Sequence, residues 1–241
     1  MGGGKISVLL AAYNGGRFIG EQISSILSEL ADGDELIVSD DGSSDDTLKI
    51  VREFNDARIK IVQGPKKGFV RNFENAFAYS RNEFIFFSDQ DDVWVKGKRE
   101  RTLKAFTDGV NVVKHDAVIV DENLNALNES YNALRGANVS YGKNFIKNTF
   151  TGCCMAARRA WLEKILPVPE NIYHDRWIGI LACKFGCAKV IDDKLLLYRR
   201  HGANVSAMKR KSLFKILKER IYLYKQIKKY IKRTKKACSR C

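Results

Sequence analysis

The first ninety or so residues alternate short apolar runs with stretches where apolar side chains recur every three or four positions. Ile6-Ser7-Val8-Leu9-Leu10-Ala11-Ala12 is nearly all apolar, the pattern of a strand buried on both faces of a parallel sheet. Asn14-Gly15-Gly16 breaks it, and Phe18, Ile19, Ile23, Ile26, Leu27 and Leu30 follow at helical spacing. Residues 35–39 predict a second strand, ended by Asp40-Asp41-Gly42-Ser43. Ser44 or Asp45 can cap the next helix, which carries Leu48, Ile50, Val51 and Phe54. Residues 59–62 read as a third strand, a helix runs from Gly68 through Phe73 and Ala76 to Tyr79, and residues 84–87 form a fourth strand. Strands and helices in this order predict a parallel α/β sheet.

In such sheets ligands bind beyond the carboxyl ends of the strands. The polar groups at those ends are Tyr13-Asn14, the "DDGSSD" that starts at Asp40, and Asp89-Gln90-Asp91-Asp92. The three are expected to meet in space although they are far apart in the chain. The second part is less regular. Residues 110–120 and 149–156 read as strands, 158–165 and 175–185 as helices, and 194–200 as a last strand. There is no internal repeat, and only three prolines punctuate the chain.

Composition narrows the class. With 45% hydrophobic and 29% charged residues the chain resembles a soluble globular protein, and it contains no apolar run of membrane-spanning length. The start, Met1-Gly2-Gly3-Gly4-Lys5, lacks the apolar core of a signal peptide, which points to the cytoplasm. The six cysteines show no secreted-scaffold spacing, and Cys238-x-x-Cys241 would need a second pair to bind zinc. The net charge of +14 is lopsided: residues 207–241 hold fourteen Lys or Arg against one acid, Glu219, and so carry +13 of it. The division expected is a near-neutral body, 1–206, followed by a basic helical tail, 207–241.

Asp89 and Asp91 bracket one residue, a spacing with which a short loop aims two carboxylates at one hard cation. Like charges this close repel unless a cation or proton lies between them. A helix N-cap accounts for one acid after a strand, but not for three. Asp40 and Asp41 fit either an Asx-turn or contacts to a ribose or base. Neither G-x-x-x-x-G-K-[ST] nor G-x-G-x-x-G occurs, which argues against kinase-like and dinucleotide-binding readings.

Together "SVLLAAYNGGRFIGEQISSIL", "ELIVSDDGSSDDTLKIV", "FIFFSDQDDVW", "HDRWIGILACKFG" and "LLLYRRHGANVS" resemble the family 2 glycosyltransferases with the GT-A fold, over residues 5 to about 206. Within that family "SDQDDVW" and "YRRHGANVS" are most similar to bacterial rhamnosyl- and hexosyltransferases of surface polysaccharide synthesis. The resemblance implies a mostly parallel, Rossmann-like sheet and a nucleotide-sugar site of Ala11, Tyr13, Asp41, Arg71, Asp89 and Gln90. Tyr13 would stack on the base, Asp41 would accept from it, and Arg71 would neutralise phosphate. It implies a metal, Mg²⁺ or Mn²⁺, held by Asp91 with His201, a catalytic base at Asp175, and acceptor or supporting roles for Asp92, Trp94, Gly152 and His174. The donor would be a UDP- or dTDP-sugar and the acceptor a saccharide or lipid-linked saccharide, with inversion at the anomeric carbon. The chain departs from the family in having Ala12 before Tyr13, where many members have proline. It also has His174-Asp175 where others have Glu-Asp, which leaves His174 as a rival or helper of the base.

In the tail, Leu213, Leu217, Ile221, Tyr224, Ile227 and Ile231 recur at helical spacing among lysines. Such a helix can lie on an anionic bilayer at the inner face of the plasma membrane, pack on its own body, or join a second subunit as a homodimer. No nucleic acid partner is expected. The alternative to an enzyme is a non-catalytic membrane- or nucleic-acid-binding protein on the same scaffold.

Overall fold

The computed structural model describes residues 4–202 and 212–238, with side chains to 234. The 206/207 boundary, the 203–206 part of the "YRRHGANVS" motif and the Cys238/Cys241 pair of thiols lie outside the described residues or side chains. Strands β1 (Ile6–Ala12), β2 (Glu35–Asp40), β3 (Ile59–Gln63) and β4 (Phe84–Asp89) are all parallel and lie in the order β3-β2-β1-β4. Helices α1 (Ile19–Leu27), α2 (Thr47–Glu53) and α3 (Phe69–Tyr79) are their crossovers. Side chains alternate across a strand. Ile6, Val8, Leu10 and Ala12 of β1 join the core under α1 and α2, while Leu9 joins the core under α3 with Phe73 and Ala76. Both faces of β1 are therefore dry, which is why its sequence is an unbroken apolar run.

The second half extends the same sheet. It contains β5 (Val93–Trp94), α4 (Lys98–Lys104), β6 (Val112–Val120), β7 (Ala126–Asn128), α5 (Tyr131–Arg135) and α6 (Tyr141–Ile146). After these come β8 (Met155–Arg158), α7 (Arg159–Ile165), α8 (His174–Lys184), β9 (Ala188–Arg199) and α9 (Leu213–Cys238). From β4 the sheet continues β8-β6-β9-β5; β8 is antiparallel to β4 and β6, and β6 runs parallel to β9.

Two expectations for this half need correction. Residues 149–156 are not one strand: Gly152–Cys154 form a 3₁₀ turn and only Met155–Arg158 pair in the sheet. The Cys153 carbonyl there accepts from Lys98 Nζ at 3.0 Å and not from a ladder partner. The last strand starts at Ala188, six residues early, because its polar first half pairs with β6 although it lacks an apolar run.

The basic tail helix is not free-standing. Leu223 and Ile227 of α9 are each 1% exposed and belong to the core shared by α3, α7 and α8. Tyr230 meets Trp177 and Phe185 edge-on, with ring centroids 6.1 and 6.3 Å away. The other side of α9 leaves Leu213, Phe214, Leu217, Ile221 and Tyr224 exposed. Among the described residues no helix is long and apolar enough to cross a membrane.

Candidate active site

The three polar strand ends do converge. Ala11 sits level with Ser39 on β2 and with Asp89 on β4. Gln90 clamps β1 to β4: its Oε1 accepts from Tyr13 N at 2.8 Å and its Nε2 donates to Tyr13 O at 3.0 Å. Asn14 joins β1 to the β2 end through Ser43 and Ser44. Asp40 closes the turn there, accepting from Gly42 N and Ser43 N, so it plays the Asx-turn role. Asp41 accepts from Lys66 N at 2.6 Å and Gly68 N at 2.8 Å, which holds the loop before α3. Each of its oxygens keeps a second lone pair for a ligand. Tyr13 stands 58% exposed at the rim. Arg71 pairs within its own helix with Glu74 at 2.5 Å.

The β4 loop divides its acids. Asp91 Oδ2 lies 2.7 Å from His201 Nε2, and the His201 ring packs on Phe18 with centroids 4.8 Å apart. Asp89 and Asp92 turn the other way, with ligand atoms within 4.8 Å of each other and of the Cys153 thiol. Asp92 is fully buried; one oxygen accepts from Arg199 N at 3.0 Å and the other has no partner among the described residues. Burial, then the charge of Asp91, pushes Asp89 up to about 7 and Asp92 well above the usual carboxylate range. Lys98 is the counter-charge beneath them; it is fully buried, sits over the Trp94 ring at 4.4 Å, and is pushed down to about 8 by burial. Trp94 is thus a floor for Lys98 and packs on Phe86 in the core, which corrects any direct acceptor role.

Sequence reading missed the residue that fixes this loop. Arg199 donates from Nε to Asp91 O, from Nη1 to Glu122 O and from Nη2 to Glu21, while its backbone N–H holds Asp92. One signal existed: of two successive arginines in a strand, alternation turns one inward. Lys98 carried no comparable signal, because nothing in the chain near it says that it is buried.

Asp175 lies in the first turn of α8, a helix whose N-cap is Tyr173, so Asp175 is not the cap. Its Oδ1 accepts from Arg176 N at 2.6 Å and its Oδ2 from Asn148 Nδ2 at 3.3 Å. Burial raises its pKa to about 6, and its charge reaches Asp89 across the sheet end. His174 does not rival it. The imidazole is buried against Phe69, Phe73 and Phe87, neither nitrogen has a partner among the described residues, and burial pushes it down to about 3. It is a neutral, buried core ring of low proton affinity, which argues against a role as the base. Gly152 explains its seat: a Cβ there would stand 2.4 Å from His174 Nε2.

A mixed sheet in this order, parallel from β1 to β4, with carboxylates at the ends of β2 and β4 and another on a helix near them, defines a GT-A glycosyltransferase scaffold. The family described as Glycosyl transferase family 2 matches residues 7–166, more than half of the chain, and the chain belongs to that family. One relative, an uncharacterised glycosyltransferase of Nostoc sp., is 29% identical over 83% of this chain and 66% of its own length. Another is the UDP-Glc:alpha-D-GlcNAc-diphosphoundecaprenol beta-1,3-glucosyltransferase WfgD of Escherichia coli, 29% identical over 86% of this chain and 82% of its own. Among solved structures, S. aureus TarS 1–349 in complex with UDP-GlcNAc superposes with a TM-score of 0.68 at 20% identity, covering 91% of this chain and 66% of that one. Glucosyl-3-phosphoglycerate synthase of Mycobacterium tuberculosis, in complex with Mn²⁺, UDP and glucosyl-3-phosphoglycerate, gives 0.60 at 20% identity, covering 83% and 73%. The chain thus spans just under two thirds of the first relative and of TarS 1–349. At these identities the structural likeness establishes the fold.

Proposed function

We propose that this family 2 glycosyltransferase moves a hexose or rhamnose from a UDP- or dTDP-sugar to a hydroxyl of a lipid-linked saccharide, with inversion. The observation that carries the reading is the nearness of Asp175 to Asp89 at the end of β4, close enough for their charges to interact. A divalent cation fits the donor set. Asp91 and His201 offer an oxygen and a nitrogen 2.7 Å apart beside Asp89, whose carboxyl is raised first by burial and then by the charge of Asp91. The alternative trio of Asp89, Asp92 and Cys153 suits a cation less well: the buried thiol is held well above its ordinary range and Lys98 already sits there. When bound, Mg²⁺ or Mn²⁺ supplies Lewis-acid stabilisation to the departing diphosphate.

The chain's own groups do the rest. Tyr13 offers an exposed ring for the base, and Asp41 has free lone pairs for its N–H groups. Asp175, with its proton affinity raised toward neutrality, accepts the acceptor hydroxyl's proton as that oxygen attacks the anomeric carbon. Displacement from the face opposite the diphosphate inverts that carbon. The exposed apolar stripe of α9, flanked by Lys215, Lys218 and Lys225, rests the enzyme on an anionic bilayer, each cation contributing about 1 kcal/mol.

The test is calorimetric titration of UDP-glucose and dTDP-rhamnose, each with Mn²⁺, into the protein and into Asp91→Ala. Metal-dependent binding of one donor, weakened tenfold or more by the substitution, is expected. Binding of neither donor, or binding indifferent to Asp91, would sink the reading.

A further inference from the structure

Two guanidinium groups, Arg135 and Arg176, face Asp175, and a third, Arg220, faces Arg176. Arg176 follows Asp175 on α8, Arg135 ends α5, and Arg220 lies on α9. Arg135 Nη2 donates to Asn148 O at 3.2 Å, and the same Asn148 donates to Asp175. Arg220 Nη2 donates to Ile146 O at the end of α6. Among the described residues none of the three forms a salt bridge. Arg176 Nε and Nη2 and Arg135 Nε are buried donors without a partner. Burial and then the charge of Arg220 push Arg176 down to about 10. The charges of Glu219 and Asp175 offset part of this, but an unsatisfied buried donor on a cation costs more than a neutral one, and a bound anion would supply the acceptors that Arg176 and Arg135 lack.

The surroundings say which anion. Leu217 and Tyr224 lie three residues before and four after Arg220, on the same side of α9, and Ile221 is its neighbour. All three are exposed, as is Ile146, whose carbonyl Arg220 holds; Ile146 is 71% exposed. From the base outward the order is carboxylate, guanidinium groups, apolar surface. A saccharide joined to a lipid through phosphate has the same order: hydroxyl, phosphate, hydrocarbon.

We infer that Arg135, Arg176 and Arg220 form the acceptor subsite that binds the phosphate or diphosphate of a lipid-linked acceptor, with its hydrocarbon along Ile146, Leu217 and Ile221. This rests on the glycosyltransferase reading but uses none of the donor residues. Guanidinium forks suit phosphate oxygens bidentately and keep their charge at any working pH. The subsite sets which acceptors are held in front of Asp175.

The experiment uses the full chain in EDTA with geranyl diphosphate, inorganic pyrophosphate and geraniol as probes, below micelle-forming concentration. Geranyl diphosphate is expected to bind, pyrophosphate at least tenfold more weakly, and geraniol not at all. Arg176→Gln and Arg135→Gln are each expected to weaken geranyl diphosphate tenfold or more, while UDP–Mn²⁺ binding, unchanged, shows that both variants are folded. Asp91→Ala is expected to do the reverse, so failure of the donor reading and failure of this subsite are separable. Geranyl diphosphate binding indifferent to both arginines would overturn the proposal. Equal affinity for pyrophosphate would overturn its lipid half, and binding of geraniol would overturn its phosphate half.

Discussion

Replacing Asp175 by Asn should make the protein inactive and, above pH 6, more stable relative to wild type than it is at pH 4.5. The carboxyl titrates near 6 when folded and at its ordinary 3.8 when unfolded. The folded state therefore holds the proton more tightly, and the stability that this provides is complete below 3.8 and is lost as the pH rises through 6. A shift of about two units corresponds to about 3 kcal/mol over the whole range, of which about 2 kcal/mol falls between pH 4.5 and 8. Asp175 is only partly buried, so solvent screening reduces this to about 1–2 kcal/mol. The charged groups facing it are Arg176 on its own helix, Arg135 on α5 and Asp89 at the end of β4. The Asn variant keeps the bond from Arg176 N but sets its amide against Asn148, whose own amide is tied to Phe150. That costs about 1 kcal/mol, to a first approximation at both pH values, so it cancels in the comparison. Thermal unfolding of both proteins at pH 4.5 and 8 is the assay. The variant's Tm relative to wild type should rise by about 2–6 °C between the two. In parallel, kcat should fall by about 10²–10⁴, and wild-type kcat/KM should decline below pH 6 as the base takes up its proton. Parallel Tm curves would show that Asp175 is not held at a raised pKa, and a variant keeping a tenth of kcat would remove it as the base.

Three other substitutions test the surroundings. His174→Phe should leave kcat within a few-fold, because the ring is a neutral member of an aromatic core; a loss of 10² or more in steady-state rate would restore a catalytic role. Gly152→Ala should cost about 1–3 kcal/mol in denaturant unfolding. Most of that cost should disappear in a His174→Ala background, where the atom 2.4 Å from the new Cβ is gone. Leu217→Asp with Ile221→Asp should abolish sedimentation with phosphatidylglycerol vesicles while leaving UDP–Mn²⁺ binding intact; undiminished sedimentation would remove α9 as the membrane surface.

What could be read in advance follows from where each signal is stored. The four parallel strands were legible because burial on both faces demands unbroken apolar runs, and their polar ends had to meet once the strands were parallel. The acids of the β4 loop were legible as a group. Their division was not, since adjacent residues go to opposite sides of a turn: Asp91 toward His201, Asp92 toward Arg199 N. The neutrality of His174 depends on Phe69, Phe73 and Phe87, which come from two other elements. Residues 149–156 read as a strand by composition, but the Gly152 approach to His174 and the Lys98 bond to Cys153 O are long-range facts that no local pattern carries. The tail's charge and periodicity were visible. That one of its apolar faces is docked and another exposed was not, because both have the same spacing.

That double-faced helix gives the tail two separable roles. Leu223 and Ile227 pack into the core that includes Trp177 and Ile178 of α8, the helix whose first turn carries Asp175. Leu223→Ala should therefore destabilise the whole protein by about 2–5 kcal/mol, as truncation of a core leucine does, and not merely loosen a tail. Because α8 is seated partly by α9, the same change should lower kcat by displacing Asp175 and Arg176, while the exposed stripe stays intact and vesicle binding persists. The Leu217→Asp and Ile221→Asp pair should show the opposite profile, with transfer to a water-soluble acceptor retained and vesicle binding lost. Denaturant midpoints, vesicle sedimentation and steady-state rates on the two variants measure this directly. A Leu223→Ala protein with wild-type midpoint and rate would mean that α9 is a separable tail, and that the basic helix contributes nothing to the seating of the catalytic helix.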